Sequence, residues 1–359
     1  MKYGAIWAIL IFINATVGGG WSKIYGGEGI DLGYSVQQTD DGGYIIGGAT
    51  TSFTTNFDAW LIKTDENGNV EWNKTYDGIC ITGEQTKDGG YIIGGNIASS
   101  KAILIKTDEN GNVEWQRTYN GLLSSVSQTR DGGYIIGGIV TRYDIWHWYS
   151  HTDIQIIKTD SLGNIKWKKT FGTGGYEQGG YAAECDSGYI ITGETVAVRA
   201  TYGDGFYDIW LIKIDSSGNE EWLKKIGDEK SGEYAKEVHQ TGDTYIIIGT
   251  VDNDILLVKT GKPVVEIRAT YEKFRGISAI VKNNGNKLLN INWSIYIEGI
   301  VFTKRYYHGS ISLEAGKQTT IGTQSIFGIG PLTVIITAGE TAKVLHFFLI
   351  GYMMLPMDI

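Results

Sequence analysis

Asp41-Gly42-Gly43-Tyr44-Ile45-Ile46-Gly47-Gly48 is the stretch from which the fold can be read, because the same eight residues return at 88–95 and 131–138 and degenerate forms surround Tyr189 and Tyr245. The five tyrosines stand 47, 43, 55 and 56 residues apart. Leu61-Ile62-Lys63-Thr64-Asp65-Glu66-Asn67-Gly68-Asn69-Val70-Glu71-Trp72 follows the first copy, repeats at 104–115, and has variants at 156–167 and 211–222. A period near 50 made only of strands and turns means a propeller or a β-solenoid.

Four strands are predicted in each repeat. In the first they are Tyr34 to Thr39, Gly43 to Thr50 after an Asp-Asp-Gly turn, Ala59 to Asp65, and Asn69 to Tyr76 after Glu-Asn-Gly. Four antiparallel strands make one propeller blade. The second strand is apolar almost throughout, as when both faces of a sheet pack on neighbours, and Gly47 and Gly48 permit close backbone approach. Trp72, Trp115, Trp167 and Trp222 mark the fourth strand, yet the fifth repeat stops at Val258-Lys259-Thr260-Gly261 without one. Trp21-Ser22-Lys23-Ile24-Tyr25-Gly26 matches Trp72-Asn73-Lys74-Thr75-Tyr76-Asp77, so the N-terminal segment is expected to supply the missing strand and close a ring. Closure removes the exposed edges of an open array, and a β-helix needs no such permutation of strands.

The expected chain is therefore all-β, a five-bladed β-propeller over 21–262 followed by an immunoglobulin-like β-sandwich over 263–359. The second domain rests on seven predicted strands: Val265 to Tyr271, Ile277 to Lys282, Leu289 to Glu298, Thr303 to His308, Thr319 to Thr323, Leu332 to Ala338 and Val344 to Ile350. Without a Cys pair to bury, it is not of the antibody type. The apolar run from Phe347 to Met357 contains Gly351 and Pro356 and reads as a last strand.

At its repeat phrases the chain resembles the secreted β-propeller repeat proteins of archaea and bacteria that carry Asp-Gly-Gly-Tyr-Ile-Ile-Gly-Gly, Leu-Ile-Lys-Thr-Asp-x-x-Gly-Asn and Trp-x-Lys-Thr-Tyr-Gly. The resemblance covers about two thirds of the chain and implies the propeller and the cell surface, but no activity. Ile280-Val281-Lys282-Asn283-Asn284-Gly285-Asn286 followed by Ile311-Ser312-Leu313-Glu314-Ala315-Gly316-Lys317 resembles bacterial adhesion-related immunoglobulin-like modules. The outer-strand tryptophans are also similar to those of quinoprotein propellers, which are larger rings whose quinone-site residues have no counterpart here.

Composition narrows the function. Gly accounts for 51 of 359 residues and Pro for 3, aromatic residues make 12% and charged residues only 20%, which excludes a disordered chain. The net charge of −9 argues against nucleic acid as a partner. Residues 1–20, with Lys2, an apolar Gly4 to Ile13 and a small-residue end at Ala15 to Gly18, read as a secretory signal peptide, the alternative being an uncleaved anchor. Either way the body lies outside the cytoplasm, and no integral span is expected after cleavage. Cys80 and Cys185 are read as unpaired core residues, placed too far apart by the repeats for a disulfide.

The turns at one end of the repeats are short and nearly identical, whereas the loops at the other vary: Thr51 to Asp58, Thr141 to Asp153 and Val198 to Asp208. Rigid scaffolds carry function on such loops. The insertion Arg142-Tyr143-Asp144-Ile145-Trp146-His147-Trp148-Tyr149-Ser150-His151 stands out. Tyr143, Trp146, Trp148 and Tyr149 can stack on a sugar ring, with His147, His151 and the carboxylate of Glu177 supplying hydrogen bonds; the alternative is that the aromatics plug the blade rim. Glu28, Asp31 and Glu233 are expected on the same face. Paired carboxylates raise glycoside hydrolysis, with Glu84, Glu184 and His239 as the departures from the inner-strand pattern. That pattern (Gln38, Gln85, Gln128, Glu184, Gln240) otherwise reads as structural, its side chains satisfying backbone groups between blades. Asp65-x-Asn67-Gly68-Asn69-x-Glu71 and its copy at 108–114 look superficially like a calcium loop, but the glycine sits at the fourth position and a hairpin turn accounts for it. No metal or cofactor is expected. Asn73-Lys74-Thr75 and Asn292-Trp293-Ser294 fit the glycosylation sequon. The reading is a secreted or surface-displayed binding or adhesion protein for a glycan or an envelope protein, leaning away from an enzyme. A carbohydrate-active hydrolase and a structural envelope component that self-associates through its C-terminal domain are the alternatives.

Overall fold

The computed structural model describes residues 21–53, 56–97, 100–144, 149–173, 175–196, 207–227, 231–252, 254–272 and 276–357, and among these there is no α-helix. The segment 1–20 expected to be a signal peptide lies outside them, as do 197–206 of one variable loop. Four antiparallel sheets of four sequential strands follow the repeats. The first is β1 (Asp31–Gln38), β2 (Tyr44–Thr50), β3 (Asp58–Thr64) and β4 (Val70–Tyr76); the second is β5 (Ile79–Gln85), β6 (Tyr91–Ile97), β7 (Lys101–Thr107) and β8 (Val113–Asn120). The third is β9 (Leu122–Gln128), β10 (Tyr134–Asp144), β11 (Tyr149–Thr159) and β12 (Ile165–Phe171); the fourth is β13 (Glu177–Cys185), β14 (Gly188–Val196), β15 (Tyr207–Ile214) and β16 (Glu220–Ile226). The fifth repeat gives three strands, β17 (Glu233–Thr241), β18 (Thr244–Val251) and β19 (Asp254–Gly261).

The chain divides into two compact units, one of residues 1–136 and 158–166, the other of 137–157 and 167–359. In the first unit, Ile45, Leu61, Cys80, Tyr91, Ile93 and Ile103 make one buried cluster spanning the first two sheets. A fully buried Leu or Ile of this kind contributes about 1.5–3 kcal/mol. Gly47 is required there, since a Cβ would stand 2.9 Å from Cys80 Sγ and 2.6 Å from Ser35 Oγ. In the second unit Ile190, Leu211, Ala235, Val238 and Ile247 join the fourth and fifth sheets in the same way. Cys80 and Cys185 are both buried and free, and burial pushes the Cys80 thiol up to about 12.

Three devices recur, two at the junctions between repeats and one within each repeat. The fourth-strand Trp meets the Tyr of the next repeat edge-on: Trp72 with Tyr91 at 5.5 Å, Trp115 with Tyr134 at 5.8 Å, Trp167 with Tyr189 at 5.8 Å and Trp222 with Tyr245 at 5.6 Å. The inner-strand glutamines accept from turn amides of the preceding repeat, Gln85 from Asp40 N (2.8 Å), Gln128 from Lys87 N (2.9 Å) and Gln240 from Asp186 N (2.9 Å), as their structural reading requires. Lys63 and Lys106, buried at the end of the third strand, each bridge two carboxylates, Asp41 and Glu71 at 2.8 and 2.9 Å, Asp88 and Glu114 at 3.0 Å.

The segment expected to close the ring differs from its repeats. Residues 21–30 form no strand, and β17–β19 remains three-stranded. What the segment keeps is the side-chain half of the pattern. Trp21 meets Tyr44 at 5.6 Å, Lys23 donates to Asn69 Oδ1 as Lys74 does to Asn112 Oδ1, and the Tyr25 hydroxyl donates to Gly68 O as that of Tyr76 does to Gly111 O. The backbone then turns away at 27–30, where Gly27 N donates to Asp31, Gly29 N to Ser52 and Ile30 N to Thr51.

After Pro263 two antiparallel sheets share one core. One holds β20 (Val265–Glu272), β21 (Gly276–Asn283) and β24 (Gln318–Gly322); the other holds β22 (Leu289–Val301), β23 (Tyr306–Leu313), β25 (Gly328–Ala338), β26 (Thr341–Gly351) and β27 (Met353–Pro356). Ile277, Ala279 and Val281 face Ile295, Ile297, Val334 and Ile336 in this core. Residues 303–305, expected to open the fourth strand, form a turn, and the strand begins at Tyr306. The second sheet is continuous with the fourth repeat, because β26 pairs with β16 at Leu223↔Ala342 and Lys224↔Thr341. Lys224 and Lys343 fasten the seam to Glu340 and Glu220 at 2.6 and 2.8 Å. The C-terminal domain is thus joined to the fourth repeat by a ladder and is not a loose spacer.

Candidate functional site

The insertion singled out in the third repeat lengthens both strands that carry it. β10 and β11 have eleven residues each, whereas β2, β3, β6 and β7 have seven. At about 3.3 Å per residue, the four extra residues add roughly 13 Å to the length of each of these strands. Tyr143 is 58% exposed on this arm. Tyr149 opens β11, its side chain outside the described residues; Trp146, His147 and Trp148 lie outside them altogether.

The base of the arm is fixed by charge. Arg142 Nε donates to Asp153 Oδ2 across the hairpin at 2.9 Å, and its Nη2 donates to Thr170 Oγ1 at 2.8 Å. His151 Nε2 stands 3.8 Å from Asp153 Oδ1. Asp153 is buried, and burial raises its carboxyl above the usual range despite the nearby His151 and Arg142. Beside it lies Glu177, which the sequence reading expected near the ligand-bearing face but which has no exposed surface at all. Its Oε1 accepts from Thr173 N and Oγ1 (3.2 and 2.6 Å) and from Thr195 Oγ1 (2.9 Å), while Oε2 accepts no hydrogen bond among the described residues. Burial pushes Glu177 up to about 8; the Thr173 and Thr195 bonds oppose this and the charge of Asp153 adds to it. Gly172 separates the two acids, since its Cβ would stand 2.0 Å from Asp153 Oδ1 and 3.1 Å from Glu177 Oε2. His346 of β26 forms a hydrogen bond of 3.2 Å with Thr333 Oγ1; burial first, then the neighbouring Arg142 and His151, lowers it to about 4.

The arrangement recurs one repeat later. Gly227 separates Asp208 Oδ1 and Glu233 Oε2 at 2.5 and 2.6 Å from its would-be Cβ, Lys225 pairs with Asp208 at 2.7 Å, and Ser231 donates to Glu233 Oε1 at 2.5 Å. Glu177 and Glu233 had been singled out as loop carboxylates; their partners Asp153 and Asp208 had not. The missed signal was available, for an Asp precedes the third-strand phrase at positions 58, 153, 208 and 254.

Two neighbouring buried acids resemble the acid and nucleophile of a glycosidase in chemistry but not in access, because no substrate oxygen can reach a carboxyl that is wholly enclosed, as Glu177 is. The pair acts as a clasp between repeats. The supposed calcium loops are turns whose carboxylates are spent: Asp65 Oδ1 accepts from Asn67 N and Asn69 N at 2.8 Å and Oδ2 from Asn69 Nδ2 at 2.8 Å, and Asp108, Asp160 and Asp215 do likewise. Among the described residues no three His, Cys, Asp or Glu side chains converge on a metal position. In the first unit a pocket of about 210 Å³ is lined by Tyr25, Asp31, Leu32, Ile46, Trp60 and Ile62 among others. Burial would raise Asp31, but bonds from Thr50, Gly27 and Ser52 hold it below the usual carboxylate range, so it is an anion there. Glu184 is half-buried on β13, and the exposed His239 pairs with Glu237 at 2.6 Å.

No protein-family model and no curated protein matches this chain. Among solved structures, similarity is found to β-1,2-mannobiose phosphorylase from Listeria innocua in complex with β-1,2-mannobiose, at 12% identity and a TM-score of 0.32 over 64% of this chain and 80% of that one. It is also found to a GH32 β-fructofuranosidase from Bombyx mori in complex with sucrose, at 8% identity and a TM-score of 0.32 over 92% of this chain and 88% of that one. Likeness at this level carries no argument about activity.

Proposed function

We propose that the chain is a secreted or surface-displayed five-bladed β-propeller with an immunoglobulin-like sandwich, acting as a non-catalytic binding module that holds a glycan on the β10–β11 arm. The observation that carries this reading is the arm itself: two eleven-residue strands anchored at their base by Arg142, with Tyr143 exposed on the first and Trp146 and Trp148 in the sequence that joins them. A rigid support under aromatic side chains lowers the entropy lost when a sugar ring stacks on them. His147 is the polar partner offered by the joining sequence, whereas His151 belongs to the base of the arm beside Asp153. Glu177 belongs to the support and not to the contact surface. Closure of the ring by residues 21–26 is part of the proposal; in its favour are the repeat contacts kept by Trp21, Lys23 and Tyr25 and the apolar Ile255 and Leu257 of β19, left 83% and 70% exposed.

The test is binding of the chain from Trp21 onward to a panel of polysaccharides and envelope fractions, with reducing-sugar release followed in the same samples. Trp146→Ala/Trp148→Ala is expected to weaken binding at least tenfold, with no release by either protein. Sugar release abolished by Glu184→Gln would make the chain a hydrolase, and absence of any binding would leave an envelope component that self-associates.

A further inference from the structure

One end of the C-terminal sandwich gathers exposed aromatic and branched side chains beside two cations. The turn at 302–305, the lead into β25 and the hairpin joining β26 to β27 meet there. Phe302 N donates to Phe327 O at 2.8 Å, the two rings lie 5.9 Å apart, and Phe327 is 4.8 Å from Tyr352. Ile329 and Ile350 are register partners alongside, and Ile350 pairs onward with Met353. These large side chains face solvent: Phe302 is 71% exposed, and Ile329, Ile350, Tyr352 and Leu355 are exposed with it. Contiguous apolar surface of this sort on a soluble domain marks an interaction site.

The charge pattern identifies what it meets. The three converging segments, 299–308, 324–332 and 347–357, contain no Asp or Glu, although the chain as a whole carries −9; Glu298, which precedes the first of them, is the acid that shares Tyr296 with Arg305. Their charged residues are Lys304 and Arg305, adjacent and exposed on the same turn as Phe302, with Lys304 Nζ 5.0 Å from the Tyr307 ring centre. Aromatic and branched side chains at a protruding tip, flanked by cations whose stems can lie along an apolar layer, are the composition of a surface that enters the headgroup region of a bilayer. A second copy of the tip is the poorer occupant, because two-fold pairing would set one Lys304-Arg305 pair against another.

We propose that this tip docks on a lipid bilayer bearing anionic headgroups, with Phe302 and Tyr352 entering the headgroup–acyl boundary and Lys304 and Arg305 meeting phosphate. Docking here is independent of the glycan reading and would hold the molecule at the membrane by its C-terminal domain.

The experiment is co-sedimentation of the chain from Trp21 onward with vesicles of phosphatidylglycerol and phosphatidylcholine in equal parts, against vesicles of phosphatidylcholine alone. Binding is expected to the anionic vesicles and to fall as salt is added. Lys304→Gln/Arg305→Gln, at exposed turn positions that leave the core untouched, is expected to weaken it about 30-fold, from roughly 1 kcal/mol per basic residue at an anionic surface. Phe302→Ser/Tyr352→Ser is expected to abolish it, with unchanged circular dichroism. Failure to sediment, or equal sedimentation of wild type and both variants, would overturn the proposal. So would a concentration-dependent dimer in ultracentrifugation that Phe302→Ser/Tyr352→Ser dissolves.

Discussion

Glu177→Gln should make the protein more stable, and only above a certain pH. In the folded chain the Glu177 carboxyl keeps its proton until about pH 8, against 4.5 for the free side chain. Between these values the folded state binds a proton that the unfolded state has released, so stability falls as pH rises through the window and is constant above it. At 1.36 kcal/mol per unit, the full shift corresponds to roughly 5 kcal/mol at pH 8 and above. Relaxation of the junction around a buried anion reduces this, and a measured difference of roughly 2–5 kcal/mol is expected. Gln copies the protonated acid: its carbonyl keeps the Thr173 and Thr195 bonds, and its amide can donate toward Asp153 from the position of the bare Oε2. Loss of the competing charge also eases ionisation of Asp153. Glu194, raised to about 7 by burial, slopes the same way in both proteins and cancels in the difference. The assay is urea unfolding of wild type and variant from pH 4.5 to 9. The curves should coincide near pH 5 and separate toward pH 8. Parallel curves, or a variant less stable at every pH, would refute the reading of Glu177 as a protonated clasp.

Two further substitutions test neighbouring parts. Gly172→Ala puts a Cβ against Asp153 Oδ1, and that carboxylate cannot retreat without breaking its pair with Arg142; a loss of about 3–5 kcal/mol in urea unfolding is expected, and a loss under 1 kcal/mol would show that the clasp is loose. Lys106→Met keeps the buried stem but removes the bridge between Asp88 and Glu114, both about half exposed. A cost of about 1–2 kcal/mol is expected, and an unchanged unfolding midpoint would mean that the bridge is idle.

The repeats were legible because each phrase does its packing locally in sequence and identically in space. Asp-Gly-Gly-Tyr places a turn, a strand and the tyrosine that the preceding Trp meets, so the four-strand period and the strand limits follow to within a few residues. The glutamine bonds were readable for the same reason, since a side chain repeated in register has a repeated task. The clasps were not. Their acids lie at the ends of different strands in different repeats, and nothing in the local pattern says that Asp153 and Glu177 meet across Gly172. The fate of the N-terminal segment was legible in part: Trp21, Lys23 and Tyr25 keep the side-chain partners that the repeats predict, while residues 21–30 form no strand and the amides of 27–30 go to Asp31, Ser52 and Thr51.

The clasp is not needed merely to join sheets. At the position of Glu177 and Glu233 in the inner strand, the first repeat has Asp31 but the second has Gly78 and the third Gly121, and the junctions of these two are held by apolar residues with the Trp–Tyr and glutamine devices. A buried carboxylate pair is a poor source of stability compared with such residues. What Asp153 does is to hold Arg142, and Arg142 ties the two strands of the arm to each other and to Thr170. Glu177, by taking the proton, leaves Asp153 free to be the anion that this pair requires. The unfavourable burial of two acids thus serves the stiffness of the arm. Arg142→Met should therefore lower glycan affinity without touching any residue at the tip, while Glu177→Gln, which spares the ion pair, should leave it unchanged.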